Sequence, residues 1–91
     1  MSRQGGIYMA RIIDGKDMNM VGGNVRKYRI AKNMSQQMLS NKLEMMAIYI
    51  CRGSISRIED KQRTVTDIEL YGIAKVLGVT VADLYEEKEF E

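Results

Sequence analysis

Apolar residues recur along this chain at helical spacing, in blocks separated by short polar breaks. From Asn19 to about Asn33, Val21, Val25 and Tyr28 share one face while Arg26, Lys27, Arg29 and Lys32 lie elsewhere, which predicts a helix whose first turn is weakened by Gly22 and Gly23. Ser35 can accept from an unpaired N–H of a second helix, in which Met38, Leu39 and Leu43 recur. Ile55 and Ile58, three apart, mark a third helix. Thr66 and Glu69 have capping-box spacing ahead of Leu70, Ile73, Ala74 and Leu77, a fourth helix that Gly78 ends. Thr80 and Asp83 repeat the signal before a short fifth helix carrying Val81, Leu84 and Tyr85. The expected fold is all-α, a compact bundle of about five helices.

The third helix has two unlike faces. With Ile55 set at 0°, Ile58 falls near ~300° and Glu59 near ~40°, whereas Gly53 and Arg57 fall near ~160° and ~200°. One face buries isoleucine; the opposite one shows small and basic residues, which suits insertion into a DNA major groove, where arginine can donate two bonds to guanine.

Charge sharpens this picture. The net +2 of the 91 residues conceals +7 on residues 1–63 and −5 on residues 64–91. The basic part coincides with the helix pair, the footprint of a molecule that meets phosphates on one side. One cysteine and no histidine remove intrachain disulfides, Cys/His zinc sites and Ser-His-Asp chemistry, so no enzyme, metal or cofactor is expected. No run of 18 apolar residues and no signal-peptide layout is present, which predicts a cytoplasmic protein with no membrane partner.

Taken together, RKYRIAKNMSQQML (26–39), SISRIED (54–60) and LYGIAKVLGVTVADL (70–84) resemble the Cro and phage-repressor type of helix-turn-helix, the xenobiotic-response-element family of regulators. The resemblance implies a lambda-repressor-like domain over residues 19–85 that binds double-stranded DNA sequence-specifically, most often as a repressor. It makes the segment at about 52–59 the recognition helix, with Arg52, Gly53, Ser54, Ser56 and Arg57 against bases. Gln36, Gln37, Lys61, Arg63, Thr64 and Thr66 would lie near phosphates, and Arg29 would pair with Glu59 to tie the first helix to the recognition helix. A two-fold homodimer is also implied, with Leu84, Tyr85 and Phe90 as contacts.

Several features depart from that pattern or stand outside it. Ile55 follows Leu39 by 16 positions, about five more than the family pattern, and the excess falls in the apolar LEMMAIYI (43–50). It predicts either an enlarged turn folded over the core, with Met45 and Met46 filling gaps, or an exposed partner surface, most readily at Tyr49. The second alternative makes the chain a protein-binding module of the same fold, antitoxin-like or an adaptor. Cys51 stands where a Ser or Thr cap is usual, and is expected as a small buried residue rather than a redox switch. Lys61 replaces a customary glycine, which predicts a strained left-handed residue. Residues 1–18, with Gly5-Gly6 and Asp14-Gly15 around Ile7 to Ile13, form an arm, flexible or a short strand; residues 86–91 form an acidic tail.

Overall fold

A computed structural model describes residues 16–86, and these form five helices: α1 Gly22–Ala31, α2 Gln36–Glu44, α3 Arg52–Glu59, α4 Asp67–Leu77 and α5 Val81–Leu84. Residues 1–15 of the arm and residues 87–91 of the acidic tail, including Phe90, lie outside the described residues.

Helices α2, α4 and α5 each begin at a hydroxyl that caps them. The Ser35 hydroxyl accepts from the Met38 amide, and Thr66 with Glu69 and Thr80 with Asp83 close reciprocal capping boxes at α4 and α5. Gly78, at φ 71°, closes α4 in the left-handed conformation. Helix α1 starts at Gly22, three residues later than the apolar pattern suggests. Asn19 is the reason: its Oδ1 accepts from the amides of Val21 and Gly22 at 3.0 and 2.8 Å, a side-chain turn that occupies the donors of the opening helix.

Val25, Leu39, Leu43, Ile55, Ile58, Ile73, Leu77 and Leu84 fill one core, to which α1, α2, α3 and α4 each contribute a stripe. Helix α3 packs on α1 and α2, α4 packs on α1, α2 and α5, and α1 also packs on α5. Gly22 allows the tightest approach: a Cβ there would overlap the Ile58 carbonyl oxygen, so α1 can cross the end of α3 only with glycine at this place.

The enlarged turn divides its residues between core and solvent. After α2, Met45 to Ala47 make a turn with Ala47 at φ 61°, and Ile48 to Ile50 lead without regular structure into α3. Ile50 is buried and its carbonyl accepts from the Ser40 hydroxyl at 2.6 Å, while Ile48 packs over Gly72 of α4. Met45 and Met46 do not fill gaps. Met45 is 87 % exposed and Met46 is also exposed, because Ile48 over α4 and the buried Ile50 already take the apolar positions. Tyr49 points away from the core, 76 % exposed.

Candidate nucleic-acid interface

Helix α3 carries the candidate surface. Ile55, Ile58 and Glu59 face inward, Arg52, Gly53 and Arg57 are exposed, and Ser54 and Ser56 lie half-buried on the flanks. The Arg57 guanidinium donates to the Ser54 hydroxyl at 3.3 Å, so two neighbouring candidates share one patch. No neighbour stands within 4 Å of where a Cβ on Gly53 would be. The patch presents donors from two guanidinium groups and one helix surface on which a groove edge can approach the backbone.

What holds this helix is a buried ion pair. Arg29 Nε and Nη2 donate to the two Glu59 carboxylate oxygens at 2.6 and 3.0 Å, and Nη1 donates to the Met34 carbonyl at 2.7 Å. The hydrogen bond to Glu59 raises the Arg29 pKa further, against the opposing effect of burial. Gln36 completes the cluster by donating from Nε2 to Glu59 Oε1 at 3.0 Å. Arg29 and Glu59 are thus bonded in bidentate form, and Gln36 braces α3 from the first turn of α2. Gln37 is exposed and bonds along its own helix, to Asn41.

Several expected phosphate contacts already have partners within the chain. Lys61 takes the left-handed conformation, φ 62°, but its ammonium turns to Glu86, with Asp17 at 4.0 Å, and is largely covered. Arg63 makes a bidentate bridge to Glu69 at 3.0 Å and donates to the Thr64 carbonyl at 2.7 Å. The Arg63 hydrogen bonds hold the Glu69 carboxyl below its usual range. The Thr66 hydroxyl is the cap of α4; Thr64 is exposed. Lys61 and Arg63 are thus first of all struts of the loop after α3, placed there by the turn at Lys61 and by the start of α4.

At the other end of α3, Cys51 is the N-cap residue and is exposed, contrary to the buried position expected, because Ile50 takes the core place beside it. The Ser54 hydroxyl and backbone, with help from Arg57, lower the thiol pKa. Of the expected dimer contacts, Tyr85 is exposed, but Leu84 is 0 % exposed, packed into the chain's own core. Among the described residues no His/Cys/Asp/Glu group is arranged to hold a metal ion, and no helix is long and apolar enough to cross a membrane.

Spacing in the sequence indicated neither Asn19 nor Glu86. Asn19 carries a weak local signal, an Asn two to three residues ahead of a helix; Glu86 carries none, since its partners Lys61 and Gly23 are distant in sequence.

Helix α3, with two exposed arginines and an end held by a buried ion pair, is the second helix of a helix-turn-helix, and the comparisons place the chain in that class. The helix-turn-helix family model matches residues 25–84. The chain belongs to this family, the Cro and repressor type of DNA-binding transcriptional regulators. Among solved structures, it is similar to the restriction-modification controller protein C.AhdI from Aeromonas hydrophila, with 25 % identity, a TM-score of 0.63, and coverage of 71 % of this chain and 87 % of that one. It is similar to SinR, the master regulator for biofilm formation, solved in complex with DNA, at 27 % identity and TM-score 0.62, covering 71 % and 97 %. A hypothetical transcription factor from Neisseria, NHTF, aligns at 26 % identity and TM-score 0.64 over 85 % and 84 %. No curated protein matches the chain.

Proposed function

We propose that this chain is a cytoplasmic transcriptional repressor without catalytic activity, which binds a two-fold symmetric DNA site as a homodimer and reads bases with Arg52, Ser54, Ser56 and Arg57. The observation that carries the reading is α3 itself: isoleucine inward, both arginines outward, and its end locked by Arg29–Glu59 with Gln36. SinR, solved in complex with DNA, and the controller protein C.AhdI support it by likeness. Phosphates are met by Gln36, Gln37 and Thr64 at the rim, and Tyr85 is offered at the dimer face. Lys61 and Arg63 act by shaping the loop between α3 and α4. Selection of bound sequences from a random duplex pool, at a fixed salt near physiological, tests this. Enrichment of a symmetric motif with half-sites roughly one helical turn apart is expected; binding without enrichment, lost steeply as salt rises, would leave only a basic surface.

A second reading rests on the enlarged turn. Met45 and Tyr49 are the most exposed large apolar side chains of the described residues, and a protein-binding module would use them. It predicts that a Met45→Lys, Tyr49→Lys variant keeps the selected DNA site but loses a partner that co-purifies with the wild type. Loss of neither would exclude it.

A further inference from the structure

Asn19 lies outside both motif helices, yet the residue is only 7 % exposed and its side chain spends every hydrogen-bonding position on the frame around α3. While Oδ1 accepts from the first amides of α1, Nδ2 donates to the Ile58 carbonyl at 3.0 Å and to the Arg63 carbonyl at 2.9 Å. One amide group therefore joins the start of α1, the last turn of the recognition helix and the loop that leads to α4. The neighbouring backbone adds to the join: the Met18 amide donates to the Lys61 carbonyl at 3.0 Å, and Gly22 lies directly against Ile58.

We infer that Asn19 is a positioning residue for the recognition helix, setting the angle at which α3 is presented and hence the selectivity among base pairs. The inference deepens the DNA-reading proposal and rests on it. Two anchors are needed to fix the tilt of a short rod. Arg29 and Gln36 hold Glu59 by its side chain, from α1 and α2, and constrain the helix by hydrogen bonds at that residue only. Asn19 holds the carbonyl of the preceding residue, Ile58, and from a different segment of the chain. Base-edge hydrogen bonds demand this angular control because they fail steeply with misalignment, whereas attraction to phosphates survives small rotations.

The test uses Asn19→Ser and Asn19→Asp in the full chain. Both keep an oxygen that can accept from the Val21 and Gly22 amides, and both lack the amide that bridges Ile58 to Arg63. Binding is measured, well below each variant's melting transition, to the selected duplex and to an unrelated duplex at one salt. The tilt of α3 against α1 is measured without DNA by residual dipolar couplings. The expected result is a changed tilt and a fall of about ten-fold in the ratio of specific to non-specific affinity, the size of one lost bidentate base contact. Non-specific affinity is expected to stay within about two-fold. A folded variant with the wild-type tilt, or with the wild-type ratio, overturns the inference. So does a failure of both variants to fold at low temperature, which would make Asn19 a folding residue only. If the wild type itself enriches no sequence, the DNA-reading proposal fails, and the couplings still decide whether Asn19 sets the tilt.

Discussion

Gly53 occupies an exposed helical position where a Cβ would meet no other atom within 4 Å. Nothing inside the protein requires glycine there. Gly22, Gly23 and Gly72 each have an atom of the fold where a Cβ would stand, and Gly78 has φ 71°. Gly53→Ala is therefore expected to stabilise the fold by about 0.5–1 kcal/mol, through helix propensity alone. The same methyl would stand between α3 and the groove, so affinity for the selected duplex is expected to fall. A thermal melt and a titration on one sample check both signs; a stabilised variant with unchanged binding would show that DNA keeps its distance from this residue. Arg57→Ala has a different signature. Its loss is expected to cost about 1–3 kcal/mol of binding and to relax preference at a single base pair. An equal loss on unrelated duplexes would put Arg57 on phosphate instead.

Helix α4 shows how one element is coupled to the recognition surface. Its capping box shares Glu69 with Arg63, so the start of α4 and the loop after α3 depend on one carboxylate. That carboxyl is held below its ordinary value of 4.5, chiefly by the Arg63 hydrogen bonds. A group whose folded pKa is lowered stabilises fully above its unfolded value and loses that contribution as pH falls through the folded one. Acidification below pH 4.5 is thus expected to destabilise the wild type more steeply than Glu69→Gln, as read from melts at a series of pH values. Parallel acid slopes would show that the bridge contributes nothing.

Element by element, what the sequence made legible was what it encodes locally. Both capping boxes, the Ser35 cap, the Gly78 stop and the isoleucine face of α3 depend on residues three or four apart, and all stand where the spacing puts them. The fate of LEMMAIYI was not legible, because eight mostly apolar residues carry no sign of which ones find a place. Gly72 and Ser40, distant in the chain, select Ile48 and Ile50 and leave Met45 and Tyr49 outside. The partners of Lys61 and Arg63 and the burial of Leu84 were hidden for the same reason. A basic residue beside a recognition helix reads as a phosphate contact until the fold brings Glu86 or Glu69 to it.

At the scale of the whole molecule, the Arg29–Glu59 pair joins two helices in the core, and its contribution to orientation can be separated from its contribution to stability. Arg29→Met alone would leave the Glu59 side chain, 1 % exposed, with Gln36 as a neutral partner and would remove the donor to Met34. An uncompensated buried charge is expected to cost about 3–5 kcal/mol, a large share of the roughly 5–15 kcal/mol that holds a small domain together. Replacing both residues, Arg29→Met with Glu59→Leu, removes the charge as well as the bond, and most of the stability is expected to return. Selectivity should not return with it. Apolar packing tolerates small rotations of α3, whereas a fork of two hydrogen bonds fixes the planes of both groups. The double variant is therefore expected to melt close to the wild type and to bind DNA of any sequence, while preferring its selected site less. If it instead reads that site as well as the wild type does, the pair is a stability device, and the orientation of the recognition helix comes from its isoleucine face and from Asn19.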